Sequence, residues 1–173
     1  AFPEREAVVF PTQDIRWTWS EFARQVDRLA GGLLSLDVRK GDRVGIWSPN
    51  RVEWILTQFA TARIGAILVC INPAYRPYEL AFALNKVGCK VLVTARSFKS
   101  SDYIGMLQGL APELSSTAPG NLRAAKAPDL RAIITVGQEI PPPGMLSFKN
   151  TLDLGDDVQV ADLDAITDTL DQN

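Results

Sequence analysis

The sequence contains no histidine and only two cysteines, Cys70 and Cys89, among 173 residues. Without histidine the chain cannot assemble a Ser-His-Asp or Cys-His catalytic group from its own side chains. Two isolated cysteines do not make a disulfide framework, so a reducing compartment is favoured. A zinc site of the usual kind is disfavoured, because such sites rely on several His or Cys ligands. Both cysteines are interpreted as small core residues.

The sequence also lacks an excess of positive charge and a long apolar run. Its net charge of −2 and pI of about 5.2 provide no basic surface, so we expect no nucleic-acid partner. No apolar run approaches the ~20 residues that cross a bilayer, so we expect no transmembrane segment. The first ten residues do not resemble a signal peptide. We expect a cytoplasmic protein, with the mitochondrial matrix as the alternative, and leave a homo-oligomer open.

Two glycine-rich phosphate-binding patterns are missing as well. No G-x-G-x-x-G follows a predicted strand, and no G-x-x-x-x-G-K-[ST] occurs. The carboxylates are scattered and form no pair suited to general acid–base work. We interpret four glycines as turn formers near a helix end and the next strand: Gly31, Gly32, Gly41 and Gly45. Spacing alone therefore predicts no catalytic residue and no metal ligand.

What the sequence does contain is an alternation of strands and helices. Residues 7–10 and 15–17 predict a hairpin, and Thr18 with Glu21 predicts a capping box. The helix that follows should bury Phe22, Val26, Leu29, Ala30 and Leu33. Further strands are predicted at 43–47, 66–71, 90–94 and 131–136, with helices between them. This order predicts an α/β fold: a doubly wound, mainly parallel sheet with flanking helices and an N-terminal hairpin.

More detailed predictions concern the helix that follows the predicted strand at 43–47. Ser48 or Asn50 is predicted to cap it. Its inward stripe is predicted to consist of Val52, Ile55, Phe59 and Ala62. The strand at 66–71 is apolar on both faces, which is typical of a strand buried within a parallel sheet.

The chain is predicted to divide near residue 150. Residues 1–150 should form an α/β subdomain that is incomplete, and residues 151–173 an acidic linker. That last segment contains seven aspartates and neither lysine nor arginine. We expect it to be solvated, although Leu163, Ile166 and Leu170 are spaced for one short helix.

The stretch "NPAYRPY" at residues 72–78 ends the predicted strand abruptly. Pro73 restricts Asn72 to extended conformations, and Pro77 suits the first turn of a helix. In open α/β sheets, ligands bind at the carboxyl ends of strands, where this loop should lie. Either the prolines only set the turn, with Tyr75 and Tyr78 covering the sheet edge, or the loop contacts a ligand. The substrate-proximal candidates are Asn72, Pro73, Tyr75 and Arg76.

Four segments follow one another along the chain: "TWSEF", "KGDRVGIWSPNRVEW", "GAILVCINPAYRPYEL" and "NKVGCKVLVT". Taken in this order, they resemble the start of the AMP-forming acyl-CoA synthetases, of the adenylate-forming superfamily. The N-P-A-Y and K-V-G-C-K forms are most similar to medium-chain and long-chain fatty acyl-CoA synthetases of the family-member-2 type. The resemblance covers residues 1–136 well and 137–173 loosely, and its specificity comes from order and spacing.

The resemblance implies the N-terminal part of a two-step ligase. A fatty acid or other small carboxylate attacks ATP to give an acyl-adenylate and pyrophosphate, and coenzyme A then displaces AMP. ATP, Mg²⁺ and coenzyme A would serve the full-length enzyme. The family's phosphate loop, ribose-binding aspartate and catalytic lysine have no match here, so no catalytic residue is assigned and this segment alone should be inactive. The acidic residues 151–173 would lead toward that phosphate loop.

Two other functions stay open from the sequence. One is a non-catalytic, stand-alone α/β binding or interaction module, which the missing motifs favour. The other is an aryl- or amino-acid-activating member of the same superfamily, since the residues that choose the carboxylate lie largely downstream in that family.

Overall fold

The computed structural model describes residues 2–137 and 140–170. Its strands are β1 Glu6–Phe10, β2 Ile15–Thr18, β3 Arg43–Trp47, β4 Ile67–Cys70, β5 Cys89–Thr94, β6 Ser97–Phe98, β7 Ser101–Asp102, β8 Ala132–Thr135 and β9 Leu146–Ser147. Its helices are α1 Trp19–Ser35, α2 Val52–Arg63, α3 Pro77–Val87, α4 Tyr103–Leu110, α5 Phe148–Asp153 and α6 Val160–Asp168. Two short 3₁₀ turns cover Pro11–Gln13 and Pro112–Ser115. None of the helices within these ranges combines the length and the apolar character needed to cross a membrane.

A five-stranded sheet in the order β4-β3-β5-β8-β9 forms the centre, and all its neighbouring strands are parallel. The chain steps outward from β3 to β4 through α2, then back across β3 to β5 through α3. Right-handed crossovers in opposite directions place α2 and α3 on opposite faces of the sheet. Helices α1, α5 and α6 join α2 on one face, and α4 joins α3 on the other. This architecture confirms the predicted doubly wound, mainly parallel α/β fold.

The N-terminal hairpin and the start of α1 also match the sequence. Strands β1 and β2 pair antiparallel and contact α1. The Thr18 hydroxyl accepts a hydrogen bond from Glu21 N at 3.2 Å, and the Glu21 carboxylate accepts one from Thr18 N at 2.8 Å. This reciprocal pair satisfies donors that the first turn leaves open. The inward face of α1 consists, as predicted, of buried Phe22, Val26, Leu29, Ala30 and Leu33.

Helix α2 begins differently from the prediction. Neither Ser48 nor Asn50 caps it; the first helical residue is Val52, whose N–H donates to Gln13 Oε1 at 2.9 Å. Gln13 belongs to the turn between β1 and β2, 39 residues earlier in the chain. The prediction was wrong because this cap is a tertiary contact, and local sequence patterns detect only neighbouring caps.

The inward stripe of α2 was only partly predicted. Val52 is buried, but Ile55 is half-buried, and Phe59 and Ala62 are exposed. The other buried positions are Leu56, Thr57, Ala60 and Thr61. Both buried threonines donate to carbonyls one turn earlier, which lets polar side chains lie against the core.

Strand β4 was expected to be buried on both faces, and it is instead an edge strand of the central sheet. Ile67 is 52% exposed, Leu68 and Val69 are half-buried, and Cys70 is exposed. Cys89 is buried as predicted, and desolvation raises the pKa of its thiol to about 12. An apolar run records hydrophobicity but not position within a sheet, so the edge location could not be derived from it.

Three of the four glycines interpreted as turn formers serve close packing. Gly31 and Gly32 lie inside α1, and a Cβ at Gly32 would overlap the carbonyl oxygen of Thr151 in α5. Gly45 lies inside β3, where a Cβ would stand 3.0 Å from the Cys89 sulfur. Only Gly41, at φ +84°, has the positive φ of a turn glycine.

The described part of the acidic segment packs on the helical layer, so the expectation of a solvated linker differs from the structure. Helix α6 contacts α1 and α2, and Leu163 is buried. Arg63 pairs with Asp164 at 2.5 Å, and Arg28 with Asp156 at 2.5 Å. These cations lie on α2 and α1, over 100 positions away, which hid the pairing from the sequence. The domain division at residue 150 stays a prediction.

The contact between α1 and α5 gives a test of this packing. We expect Gly32→Ala to lower the free energy of unfolding by about 1–3 kcal/mol, because the new methyl group must displace the Thr151 carbonyl. Gly109→Ala is the matched control, since Gly109 lies in α4 with no atom within 4 Å of its ideal Cβ. It should raise stability by about 0.5–1 kcal/mol through helix propensity. Urea unfolding measures both, and two changes of the same sign would contradict the packing argument.

Candidate functional site

The loop of residues 72–76 lies beyond the carboxyl end of β4, at the edge where β3 and β5 also end. Asn72 and Arg76 are exposed, whereas Pro73 and Tyr75 are half-buried, and Tyr75 packs against the core. Tyr78 is 83% exposed, so it does not cover the sheet edge as one interpretation expected. The structure therefore brings the four candidate residues together on one loop.

Backbone and side-chain hydrogen bonds fix the loop at both ends. Asn72 Oδ1 accepts from Ala74 N at 2.9 Å, and Asn72 O accepts from Tyr75 N at 3.1 Å. Such an Asx turn is a common role for an asparagine that precedes proline. At the other end, the Glu79 carboxylate accepts from Arg76 N at 2.8 Å, and Pro77 is the first residue of α3, as predicted.

Two buried aromatic residues support the loop from below. The rings of Trp47, from the end of β3, and Tyr103, from the start of α4, stack with centroids 3.6 Å apart and planes within 10°. Trp47 Nε1 donates to Asn72 O at 3.1 Å, and the Tyr103 hydroxyl donates to Pro73 O at 2.5 Å. One stacked pair thus holds two consecutive carbonyls. We call this arrangement the aromatic clamp.

Sequence reasoning missed the aromatic clamp. Trp47 was interpreted only as a core residue, and Tyr103 was not singled out. The available signal was the position of each ring: Trp47 is the last residue of a predicted strand, and Tyr103 directly follows Asp102, whose carboxylate caps α4. Those positions place both rings near the carboxyl edge but do not reveal that they stack on each other.

The edge also carries a polar cluster after β3. Arg51 Nη2 pairs with Glu53 Oε1 at 3.0 Å, and Gln13 Nε2 donates to Glu53 Oε2 at 3.1 Å. Arg76 Nη1 reaches Ser101 Oγ in β7 at 3.3 Å. Each of these groups is engaged in holding a loop to its neighbour, so the cluster orders the edge.

The side chains at this edge can position a bound molecule. Within residues 2–137 and 140–170, no three His, Cys, Asp or Glu side chains lie together as metal ligands would. Next to the loop, a groove of about 450 Å³ runs between α3 and α4, lined mostly by apolar side chains that include Ala81, Met106 and Leu110. The described residues of this edge present a rigid wall and an apolar groove.

Removal of one hydroxyl tests the aromatic clamp. Tyr103→Phe leaves the ring and removes the donor to Pro73 O, so the free energy of unfolding at pH 8 should fall by about 1 kcal/mol. Burial raises the pKa of Tyr103 from 10.0 to about 12. Above pH 10 the unfolded chain loses this proton while the folded protein retains it, so wild-type stability falls as the pH rises from 10 to 12. The Tyr103→Phe variant has no hydroxyl proton to lose, so its stability should not show this decrease. The difference between the urea midpoints of the wild type and the variant should therefore narrow between pH 10 and 12.

With the geometry established, comparisons with known proteins identify the family. A model of the family "AMP-binding enzyme" matches residues 1–150. The human mitochondrial medium-chain acyl-CoA ligase ACSF2 is 44% identical over 153 residues, which is 88% of this chain. A putative acyl-CoA synthetase of Bacillus subtilis is 35% identical over the whole chain and 31% of its own length. The chain spans about 25% of the length of the human ligase.

Among solved structures, the anthranilate CoA ligase AuaEII in complex with anthranoyl-AMP superposes with a TM-score of 0.72. The match covers 88% of this chain and 25% of that one, at 22% identity, which shows a shared fold. The family match covers most of the 173 residues, and the sequence likeness to acyl-CoA ligases is high over the same region. The chain belongs to the AMP-binding enzyme family.

Proposed function

We propose that the protein containing this chain is an ATP-dependent fatty acid–CoA ligase, to which residues 1–173 contribute a positioning subdomain. The observation that carries the proposal is the 44% identity to a medium-chain acyl-CoA ligase across 88% of the chain. In the proposed reaction, a fatty acid carboxylate attacks the α-phosphate of ATP and pyrophosphate leaves. The coenzyme A thiol then attacks the acyl carbon and AMP leaves with the electron pair.

The family implies ATP and coenzyme A, and we add Mg²⁺ as part of the proposal. The described residues do not fit these groups as a binding site: the carboxyl edge has no phosphate-binding loop, and Arg51 is paired with Glu53. We therefore assign no step of phosphoryl or thioester chemistry to this chain. Its own contribution is a rigid edge beside which such chemistry can take place.

Within that role, we propose that Asn72, Pro73, Tyr75 and Arg76 form part of the wall of the carboxylate site. The aromatic clamp supports this assignment, because it fixes the loop backbone with two buried donors. The exposure of Asn72 and Arg76 supports it further, because polar side chains on a rigid loop at this edge can meet a ligand without first being ordered.

For the compartment, the human relative is a mitochondrial ligase, which supports the mitochondrial alternative over the cytoplasmic expectation. A homo-oligomer stays a prediction, as does the absence of a nucleic-acid partner.

An exchange assay tests the proposed activity. The complete product of the gene that encodes this chain should catalyse ATP–pyrophosphate exchange that depends on a medium-chain fatty acid, and residues 1–173 alone should not. Anthranilate in place of the fatty acid distinguishes an aryl-activating enzyme. Exchange by the 173-residue segment, or a complete product that exchanges with neither acid, would overturn the proposal; the second result would favour the binding-module alternative.

A pair of substitutions tests the role of the loop. Ser101 Oγ is the one partner of the Arg76 side chain among the described residues. Ser101→Ala therefore removes their mutual contact but leaves the guanidinium at the edge. If Arg76 contacts the substrate, Arg76→Ala should lower kcat/KM about tenfold, whereas Ser101→Ala should change it less than about twofold.

Equal losses in the two variants would show that Arg76 only fastens the loop to β7. Circular dichroism of both proteins before the assay serves as the control for folding.

A further inference from the structure

The amino edge of the central sheet, opposite the loop of residues 72–76, contains a second cleft. It has a volume of about 440 Å³ and lies where β3, β5 and β8 begin. Four cationic side chains line it: Arg43, Lys90, Arg123 and Arg131. Neither the family match nor the proposed function uses this edge, so its charges need a separate explanation.

Two of the three acids in the cleft are already paired: Asp37 with Lys90 and Arg39, and Asp42 with Lys90. Lys90 Nζ lies 2.9 Å from Asp42 Oδ2 and 3.3 Å from Asp37 Oδ2. The same ammonium group also donates to the Asp37 carbonyl at 2.5 Å. Lys90, Arg39, Asp37 and Asp42 therefore form one charge-balanced group that fastens the turn before β3 to the start of β5.

All three nitrogens of the Arg43 guanidinium donate hydrogen bonds to main-chain carbonyls. Its Nε donates to Val87 O at 2.6 Å and its Nη2 to Gly88 O at 2.9 Å, at the carboxyl end of α3, and its Nη1 donates to Gly41 O at 3.0 Å. These acceptors are neutral carbonyls. Within the residues that the structure describes, Arg43 forms no ion pair with a carboxylate.

Arg123 and Arg131 have still fewer partners. Arg131 donates through Nη1 to Pro128 O at 2.5 Å and to Leu130 O at 3.2 Å, and its Nε and Nη2 donate to no described residue. The exposed Arg123 side chain makes no hydrogen bond or ion pair with any described residue. The remaining acid of the cleft is Asp129, which is exposed and likewise unpaired in the ranges 2–137 and 140–170.

After these contacts are assigned, the cleft contains three guanidinium groups without an ion pair and one unpaired carboxylate among the described residues, and Arg123 and Arg131 are the two that keep unused nitrogens. Guanidinium groups with unused, parallel N–H donors favour bidentate binding of oxyanions. Arginines that only interact with solvent or hold loops in place do not have to line one cavity. Here the three arginines line the same cavity of about 440 Å³.

We propose that this cleft binds a small oxyanion, a phosphate or carboxylate group, between Arg123 and Arg131, with Arg43 at its base. The site is on the opposite edge of the sheet from the loop of residues 72–76. The proposal therefore stands independently of the ligase function, and it gives the protein a second place at which an anionic metabolite can bind.

The test uses the complete gene product and inorganic phosphate, at an ionic strength held constant with NaCl. Calorimetric titration of the wild type should show a saturable site that is weakened at least about tenfold in Arg123→Gln, because one bidentate partner is lost. Arg96→Gln is the matched control: Arg96 is also exposed, but follows β5 at the opposite edge, so phosphate affinity should not change. Phosphate binding at any other site of the protein contributes equally to the titrations of both variants, so it does not affect the difference between them.

A second variant distinguishes loss of the binding site from loss of the folded structure. Asp129→Asn removes the one unpaired carboxylate and should tighten phosphate binding, which a damaged protein cannot do. Titration with malonate in place of phosphate tests for a carboxylate ligand. The anion that binds more tightly identifies the preferred group. The proposal fails if wild type and Arg123→Gln bind both anions equally, or if Arg96→Gln weakens binding as much as Arg123→Gln.

Discussion

The close approach of α1 to α5 is the constraint on which the covered face of the sheet depends. Gly32 and Gly155 have no side chains, and a Cβ at either would overlap a main-chain carbonyl oxygen of the facing segment. This contact lets α5 and α6 fold back onto α1 and α2. Because buried parallel strands need helices on both faces, the second layer is as necessary to the fold as the strands themselves.

The covered sheet in turn gives the carboxyl edge its rigidity. Trp47 is fully buried at the end of a central strand, and Tyr103 is fully buried at the start of a helix on the α3 side. Their stacked rings need a packed core around them to stay in register. The hydrogen bonds they donate to the carbonyls of residues 72 and 73 therefore tie the exposed loop to the ordered core.

Much of the fold was predictable because the hydrophobic periods of strands and helices are visible within short stretches of the sequence. The hairpin, the capping box of Thr18 and Glu21, the buried stripe of α1 and the parallel order of strands all follow from residues within a few positions of one another. The cap of α2 by Gln13 and the ion pairs of Arg28 and Arg63 were not predictable, because the partners lie 36 to 128 residues apart. The candidate site shows the same division: the loop was located from its prolines, but the aromatic clamp beneath it depends on a ring-to-ring contact that no spacing encodes.

The position of β4 at the rim of the sheet has a consequence for assembly. One side of this strand pairs with β3, and within the described residues its other side has no strand beside it. Its main-chain donors and acceptors on that side are a template to which another extended segment can be added. The sheet can therefore be enlarged at this rim without disturbing any existing pair, and the three inner strands would act as the fixed centre of a wider structure.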